Sequence, residues 1–516
     1  MAMRLISISV RAKAAEVVSI TADLAAVGVF SDGARLSGPA AALDKKLGGA
    51  ISKIIRTGDF TGKAKSSVVV YGNGKVGPKR VLVVGLGEKG KLKSDTIRRA
   101  ALTAASKAVS LKAKTVVIAL HQVAGKKFDN KQMGQAIAEG VHLGGYRYDE
   151  FMSKAKEERI KSLAAVVVDA DSAVVRELSA GVKVGNVIGK AQSFARTLVY
   201  RPANVVAPAV LAAAARKLAR DTAEVSCTVF DEKQIKQKNM GGVMAVGQGS
   251  ANKSRFIVVK YTPSRCSKKG AVGLVGKAVT FDSGGLCIKP SAGMQDMKMD
   301  MAGGAMMLGA VKAAAELKLG VPVYAIVPSA ENMPGGGSYR SGDIVTTYSG
   351  KTVEIQNTDA EGRMLLCDAI EYARRLKCEV IIDAATLTGA CVVALGKYSA
   401  GVFSNDDKLA DKLKKASVQS GEKVWHLPCG DEYTEEMKSE IADLKNIGSR
   451  WGGACTAASF LREFAGEDVL WAHLDIAGPG MYDPAVKSTS GSTGFGVRLL
   501  IAYLMSLAGG KKRRAK

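Results

Sequence analysis

The stretch GLVGKAVTFDSGGLCIKPSAGMQDMKMDMAGGA, residues 273–305, carries the strongest evidence for the fold of this chain. It begins with a nearly continuous apolar run, which is typical of a strand buried on both faces of a sheet. A glycine-rich loop follows, and the small and apolar residues from Ala302 onward predict a helix. A strand, a loop and a helix in this order predict an α/β fold, in which binding sites lie at the carboxyl ends of strands.

Polar side chains cluster where this predicted strand ends. Lys277, Asp282, Lys289 and Asp300 all fall in the exit region. Asp296 and Asp300 are four residues apart, so they would share one face if the segment were helical. The glycines that follow leave a non-helical segment as the alternative.

A second polar cluster lies in IQNTDAEGRMLLCDA, residues 355–369. Asp359, Glu361 and Arg363 are spaced two residues apart, so in an extended segment all three would project from one side. A helix is predicted to begin with the apolar run that follows. Two carboxylates beside a guanidinium suit the binding of a hard cation by oxygen ligands.

The pattern of histidines excludes the zinc proteases that bind their metal through an HExxH motif. The chain has four, His121, His142, His426 and His473, and no HExxH motif. His473 lies in the apolar run LWAHLDIAG and is predicted to be a buried core or supporting residue. A GxSxG motif is also absent, which counts against a serine hydrolase of the α/β type. If the chain is a hydrolase, carboxylates and metal must carry the reaction.

The wider pattern alternates strands and helices throughout. In the first part, strands are predicted at RLISISV, LAAVGVF, SSVVVYG, RVLVVGLG and TVVIAL, and helices at TIRRAALTAASKAV, KQMGQAIAEGVHLGGY and VGNVIGKAQSFARTLV. A domain boundary is predicted near 185–200, because two prolines precede a clear helix there and Pro208 suits its first turn. We therefore predict an N-terminal domain over 1–192 and a second domain over 193–516.

The second part continues the alternation. Strands are predicted at RFIVVKY, AVGLVGKAVTFD, VPVYAIVPSA, TVEIQNT, VIIDAATLT and VLWAHLDIAG, and helices at AGGAMMLGAVKAAAELKL and AEGRMLLCDAIEYARRL. Several of these strands are continuous apolar runs, as expected for strands buried on both faces.

The net charge raises a competing function. The chain has 74 basic and 48 acidic residues, a formal charge of +26, and its densest basic run is Lys511–Lys516. A DNA-binding or architectural protein is therefore an alternative, although aromatic residues are only 5% and no nucleic-acid motif is present. A lysine-rich solvated surface accounts for the same charge.

The GLGEKG stretch, with Gly85, Gly87 and Gly90, matches the dinucleotide pattern G-x-G-x-x-G after a strand. The helix is predicted to start only near Ser94, and the next strand is followed by His121 and Gln122 rather than by an acid. Because both supporting features are missing, a plain glycine turn is the favoured interpretation.

The compartment is predicted from cysteine usage and hydropathy. Eight cysteines without a CxxC pair fit reduced thiols in the cytoplasm. The first residues lack the apolar core of a signal peptide. The sequence has no run of about 18 apolar residues, so we expect no membrane span.

The motifs together identify a family resemblance. NTDAEGR at 357–363 resembles the signature of the leucyl aminopeptidase (cytosol aminopeptidase) family, and VGKAVTFDSGGLCIKP with KMDMAGGA resembles its metal-binding segment. The similarity continues through PSAENMPGG, DAATLTGA, DLKNIGSRWGGACTAASFLREF and WAHLDIAG, so it covers most of 195–500. STGFGVRLL departs from the TGRP-like turn that the family often has.

The resemblance implies a smaller N-terminal α/β domain and a larger catalytic α/β domain with a mixed central sheet. It also implies two divalent metals, zinc or, at the looser site, manganese or cobalt, and their implied ligands are Lys277, Asp282, Asp300, Asp359 and Glu361. Asp282 and Glu361 would bridge the pair, and Lys277 would bind as a neutral amine.

The remaining implied roles concern the peptide substrate. Lys289 would stabilise the oxyanion, and Arg363 would hold a bicarbonate that serves as general base. The Leu387 carbonyl would accept from the substrate amine, and Met297, Thr386 and Gly389 would line the side-chain pocket. The resemblance implies an aminopeptidase that releases leucine or similar residues from short peptides, assembled as a homohexamer.

Overall fold

The fold is described from a computed structural model. The described residues are 5–33, 35–153, 160–267, 270–480 and 492–508, so the basic run Lys511–Lys516 lies outside them. Two compact units result, the first ending at Ser193 and the second beginning at Phe194. A smaller N-terminal α/β unit and a larger α/β unit with a mixed sheet confirm the predicted fold class.

The first unit is built on a six-stranded sheet. Its strands are β1 (Ser7–Ala14), β2 (Leu24–Val29), β3 (Ser67–Tyr71), β4 (Arg80–Gly85), β5 (Thr115–Ile118) and β6 (Ser162–Asp169). The order is β1-β6-β5-β2-β4-β3, and only the pair β3 and β4 is antiparallel. Parallel neighbours need long crossovers, which the intervening helices supply.

The helices of this unit cover the sheet. They are α1 (Gly38–Lys46), α2 (Ala50–Arg56), α3 (Ser94–Ser110), α4 (Asn130–Gly145) and α5 (Ser172–Tyr200), the last of which leads into the second unit. The glycine turn after β4 is confirmed as predicted, since Gly87 has a φ of 76° and α3 starts only at Ser94.

The second unit contains twelve strands among the described residues. They are β7 (Val225–Phe230), β8 (Arg255–Tyr261), β9 (Val272–Gly276), β10 (Ala278–Asp282), β11 (Val323–Asn332), β12 (Ile344–Thr346), β13 (Thr352–Glu354), β14 (Val380–Ala385), β15 (Ala400–Ser404), β16 (Val424–His426), β17 (Leu444–Lys445) and β18 (Leu470–Asp475).

Nine of these strands form one mixed sheet. The order is β16-β15-β18-β14-β9-β11-β8-β7, and β10 also pairs with β11. The central strands β18, β14, β9 and β11 are parallel, whereas β15, β8 and β7 run antiparallel to their inner neighbours. The remaining strands form a small sheet in the order β12-β13-β17. The carboxyl ends of the central strands therefore meet at one edge.

The second unit also contains α-helices of five or more residues, and the two that begin at Ala302 and Glu361 start beside that edge. They are α6 (Pro208–Asp221), α7 (Glu232–Gln237), α8 (Gly241–Gly247), α9 (Ala302–Glu316), α10 (Glu361–Arg375), α11 (Gly389–Leu395), α12 (Asp407–Ser420), α13 (Asp431–Glu435), α14 (Gly453–Ala465) and α15 (Val497–Ala508). No helix in the described part of the chain is long and apolar enough to cross a membrane.

The prediction of a single strand over AVGLVGKAVTFD was wrong, because the chain breaks into β9 and β10 at Lys277. β9 pairs with both β14 and β11, but β10 pairs with β11 alone. At the break, the Lys277 N–H donates to the Ala384 carbonyl at 3.1 Å, and the Lys277 carbonyl accepts from Gly304 N at 2.7 Å. The start of α9 therefore takes the place of the strand pairing that is lost.

The strand predicted at TVEIQNT is also shorter than expected, since β13 ends at Glu354. Asp359 lies in a turn, and Glu361 is the first residue of α10. The prediction that Asp359, Glu361 and Arg363 project from one side of an extended segment was therefore wrong. A helix turns by about 100° per residue, so Glu361 and Arg363 leave α10 in different directions.

Replacing Gly303 by alanine tests the close contact between α9 and the strand break. A Cβ on Gly303 would lie 2.1 Å from the Ala384 carbonyl oxygen and 3.1 Å from Lys277 N. We expect Gly303→Ala to lower the free energy of unfolding by about 1–3 kcal/mol, because backbone atoms must shift. Gly336→Ala is the matched control, since a Cβ there meets no atom within 4 Å. Equal unfolding free energies for the two variants, measured in urea, would contradict the packing described.

Candidate metal centre

Four segments of the second unit deliver charged side chains to one place at the carboxyl edge of the large sheet. Lys277 lies in the gap between β9 and β10, and Asp282 is the last residue of β10. Asp300 comes two residues before α9, and Glu361 opens α10. Because the positive end of a helix dipole favours negative charge, the starts of α9 and α10 stabilise these carboxylates.

Lys277 is the buried centre of the first set of contacts. Its Nζ lies 2.8 Å from Asp300 Oδ2 and 2.7 Å from Glu361 Oε1, and it donates to the Thr386 carbonyl at 3.1 Å. The side chains of Lys277 and Glu361 are 3% and 2% exposed, so the pairs are shielded from water. Gly362 makes the approach possible, since a Cβ there would lie 2.8 Å from Lys277 Nζ.

Lys289 joins the remaining two carboxylates. Its Nζ lies 2.9 Å from Asp282 Oδ2 and 2.5 Å from Asp359 Oδ1. The glycine loop between Asp282 and Lys289 allows this return, because Gly284 and Gly285 have φ values of 87° and 66°. The Lys289 side chain remains 21% exposed, so it borders on solvent where Lys277 does not.

Three carboxylates converge closely enough to share a cation. One oxygen each from Asp282, Asp359 and Glu361 lies within 4.8 Å of the other two. Asp300 is linked to this trio through Lys277. Asp296, in contrast, is exposed while Asp300 is buried, so the shared face considered for these two residues does not form.

Burial opposes full ionisation of these carboxylates. Burial and the Asp282 carboxylate raise the pKa of Glu361 to about 8, although Lys277 acts against them. Burial likewise raises the pKa of Asp300 to about 6, and burial together with Asp282 raises the pKa of Asp359. The site therefore contains more negative charge than its surroundings stabilise.

At the two lysines, in contrast, the surroundings favour the charged form. Burial alone would lower the pKa of Lys277, but Asp300, Glu361 and Asp282 together raise it above the ordinary value. Asp282 and Glu361 similarly outweigh burial at Lys289 and raise its pKa. The carboxylates therefore favour the protonated form of both lysines.

Arg363 lies on α10 but contacts a different segment. Its Nη1 donates to the Asn446 carbonyl at 2.7 Å, and its Nε has no hydrogen-bond partner among the described residues. Burial lowers the pKa of this guanidinium to about 10, with Glu361 and Asp475 opposing the shift. Arg363 is thus a buried cation with donor capacity to spare.

The residues predicted to contact substrate lie in neighbouring loops. Thr386 joins the cluster directly, since its hydroxyl donates to Asp300 Oδ1 at 2.7 Å. Leu387 is half-buried and Gly389 is exposed at the start of α11. Met297 is half-buried, and its carbonyl accepts from Asp300 N at 3.3 Å. The structure therefore places Thr386 in the cluster, with Met297 hydrogen-bonded to the backbone of Asp300 and Leu387 next to Thr386 in the chain.

Several buried polar residues that organise the site escaped the sequence analysis. Asn332 Nδ2 donates to Asp282 Oδ1 at 2.8 Å and to the Thr358 carbonyl at 3.0 Å, which also accepts from Tyr339 Oη at 2.7 Å. Asn332 and Asn446 both occur in the segments PSAENMPGG and DLKNIGSRWGG that carried the resemblance. Their position in those segments is the signal that could have identified them.

His473 is buried in β18, as predicted. Its Nδ1 lies 2.5 Å from Asp383 Oδ1 on the adjacent strand β14. Asp383 also accepts from Trp471 Nε1 at 2.7 Å. His473 is therefore a buried core residue, and these contacts do not join it to the carboxylate cluster.

Two domain models of one protein family match the chain, one in each unit. The catalytic domain of the cytosol aminopeptidase family matches residues 193–501, and the N-terminal domain of the same family matches residues 26–155.

Curated relatives extend the match over most of the sequence. A probable cytosol aminopeptidase of Aquifex aeolicus is 44% identical over 431 residues, covering 83% of this chain and 85% of the relative. A probable cytosol aminopeptidase of Solibacter usitatus is 44% identical over 454 residues, covering 88% and 92%.

Solved structures share the whole fold. A mutant of tomato leucine aminopeptidase superposes with a TM-score of 0.86 at 35% identity, covering 97% of both chains. The bottromycin maturation enzyme BotP in complex with Mn superposes with a TM-score of 0.82 at 35% identity, covering 95% of this chain and 100% of BotP. These findings confirm the resemblance read from the motifs. The chain belongs to the cytosol aminopeptidase family and, as a member, is an aminopeptidase.

Proposed function

We propose that this aminopeptidase uses two divalent metals to release N-terminal residues, preferably leucine or similar apolar residues, from short peptides. The observation that carries the proposal is the convergence of the buried Asp282 and Glu361 carboxylates with the half-buried Asp359 carboxylate. The match to a bottromycin maturation enzyme in complex with Mn adds support, since that related structure contains a metal of the proposed type.

The charges of the cluster fit divalent cations. Its members are the carboxylates of Asp282, Asp300, Asp359 and Glu361 and the ammonium groups of Lys277 and Lys289. Four ionised carboxylates against two ammonium groups would leave two negative charges in excess, and burial opposes that state, since it raises the pKa of Glu361 to about 8. Buried charge of this kind is costly unless cations offset it. Carboxylate oxygens are also the ligands that hard cations prefer.

The proposed ligands divide between the two metals as the family resemblance implies. Asp282 and Glu361 would bridge, with Asp300, Asp359 and the Lys277 amine completing the set. The metals are proposed to be zinc, with manganese or cobalt accepted at the looser site. Bound at this place, they would lower the pKa of a water molecule and polarise the scissile carbonyl. Lys277 would have to lose the proton that its pairs with Asp300 and Glu361 now favour, and nearby cations promote that loss.

Lys289 is proposed to stabilise the oxyanion of the reaction. Its ammonium is fixed by Asp282 and Asp359 yet stays partly exposed, so a substrate oxygen can approach it. Because both carboxylates raise its pKa, the charge is in place before the substrate arrives. Preorganised charge of this kind lowers the barrier without reorganisation during the reaction.

Arg363 is proposed to hold a bicarbonate that acts as general base. The buried guanidinium uses Nη1 on Asn446 and has a donor, Nε, without a partner among the described residues. A guanidinium presents its donors in a planar fork that matches the two oxygens of a carboxylate-like anion. An anion held here would accept a proton beside Glu361, whose charge acts on Arg363.

Substrate selection is proposed to rest on the loop after β14 and the segment before α9. The Leu387 carbonyl would accept from the free N-terminal amine, which restricts the enzyme to exopeptidase action. Met297, Thr386 and Gly389 would line the pocket for the first side chain. An apolar pocket distinguishes substrates by only about 1–3 kcal/mol per methylene, so the preference for leucine is expected to be graded.

The proposal also covers domain bounds, location and assembly. We propose domains over 1–192 and 193–516, a cytoplasmic location and assembly into a homohexamer. The nucleic-acid alternative gains no support, since the family models and the relatives named above are those of aminopeptidases. All the proposed site residues fall in the second unit, so that unit contains the complete set.

Hydrolysis of leucine-p-nitroanilide tests the proposed function. We expect the metal-stripped protein to be inactive and zinc or manganese to restore leucine release. Glu361→Gln should abolish release even with saturating metal, because one carboxylate of the converging trio is lost.

Glu371→Gln is the matched control for that experiment. Glu371 is a buried carboxylate on the same helix, paired with Arg374 and Arg375 away from the cluster. We expect this variant to keep wild-type activity. Activity that survives complete chelation, or that Glu361→Gln retains, would overturn the proposed two-metal mechanism.

Replacing Lys289 by methionine separates oxyanion stabilisation from metal binding. We expect Lys289→Met to lower kcat by about 10²–10³-fold, because a preorganised charge is lost, while two metals still bind. Lys312→Met is the control, since Lys312 pairs with Glu316 further along α9. A kcat for Lys289→Met within about twofold of the control would show that Lys289 does not stabilise the oxyanion.

A further inference from the structure

Asn446 has an unusual density of hydrogen bonds to one loop. Its side-chain Oδ1 accepts from Gln356 N at 2.8 Å and from Asn357 N at 3.2 Å. Its Nδ2 donates to the Asn357 carbonyl at 2.7 Å. The residue is fully buried, so water does not compete for these bonds. The side chain thus holds the backbone immediately before Asp359 from both sides.

The main chain of Asn446 contacts both ends of the same loop. Its N–H donates to the Glu354 carbonyl at 3.0 Å, and its carbonyl accepts from Arg363 Nη1 at 2.7 Å. One residue therefore spans the segment from the end of β13 to the first turn of α10. Asp359 and Glu361 lie between those two contacts.

The small sheet explains how Asn446 arrives there. β13 and β17 are parallel, with Val353 opposite Leu444 and Glu354 opposite Lys445. Asn446 is the residue directly after β17, so the register places it beside the chain that leaves β13. Asn446 is 90 residues from Gln356 in sequence, and the motif spacing alone does not connect the two.

We propose that Asn446 is a positioning residue for the metal centre, holding the 356–363 loop so that Asp359, Glu361 and Arg363 keep their places. The inference rests on the proposed two-metal function. Asp359 lies in a turn outside any helix or strand, and its backbone N–H donates to Asn357 Oδ1 at 2.8 Å. Loss of the hydrogen bonds to Asn357 would therefore allow the Asp359 carboxylate to move. A shift of the Asn446 carbonyl would likewise allow the Arg363 guanidinium to move.

Asn405 offers a control of the same chemistry elsewhere in this unit. Its Nδ2 donates to the Gly466 and Val469 carbonyls at 3.1 and 2.9 Å, and its Oδ1 accepts from Trp471 N at 2.8 Å. Asn405 therefore also makes three side-chain bonds to backbone. It follows β15, which runs antiparallel to β18, and so it lies at the edge of the sheet opposite the cluster.

The test compares Asn446→Ala with Asn405→Ala in the full chain. Calorimetric titration of the metal-stripped proteins with Mn²⁺ gives the metal affinity, and leucine-p-nitroanilide hydrolysis gives kcat and KM. We expect Asn446→Ala to lose about 10–100-fold in Mn²⁺ affinity and in kcat, since partners that orient metal ligands have effects of this size. Asn405→Ala should stay within about twofold of wild type in both, even where its melting temperature falls equally.

A second variant keeps the test decisive if Asn446→Ala does not fold. Asn446→Asp retains both acceptor bonds but places a carboxylate oxygen against the Asn357 carbonyl in place of the donor, and we expect a loss of Mn²⁺ affinity in the same direction. The inference would be overturned if every folded Asn446 variant had the same Mn²⁺ affinity and kcat as Asn405→Ala. The proposed function would still hold in that case, provided that the wild type binds metal and is active. A wild type that binds no metal would overturn both.

Discussion

The need to offset buried negative charge is the constraint on which the rest of the second unit depends. Asp282, Asp300, Asp359 and Glu361 are brought together from three segments, and among the described residues Lys277 and Lys289 are the cations paired with them. A folded chain tolerates such a cluster only when cations stabilise it or protons neutralise it. The proposed catalytic metals would thus also be a stabilising feature of the native state.

The backbone is irregular where it brings the charged side chains together. The strand breaks at Lys277 so that its side chain enters the site, and the glycines at 303 and 362 leave room for the close approach of α9 and α10. Two carboxylates then lie at or near the amino ends of these helices, where the dipoles favour them. Asn332 and Asn446 tie the intervening loops with hydrogen bonds that are shielded from water.

The sequence predicted the fold class and most elements because long apolar runs and helical periodicity are local signals. It also placed Lys277, Asp282, Lys289, Asp300, Asp359 and Glu361 in one set, and the structure brings these six together. It failed at Lys277 and at 359–363, where tertiary contacts decide between strand, turn and helix. Asn446 escaped notice because its contacts depend on strand register between β13 and β17, which spacing along the chain does not reveal.

The number of divalent metal ions bound per chain, measured by elemental analysis after dialysis against buffer with trace zinc, shows whether the carboxylate cluster is a metal centre. We expect two ions for the wild type, and fewer for a folded Asp282→Asn variant, because Asp282 is one of the converging carboxylates. A wild-type protein that retains no ion, or a variant that retains the full number, would contradict the claim that this cluster is a metal centre.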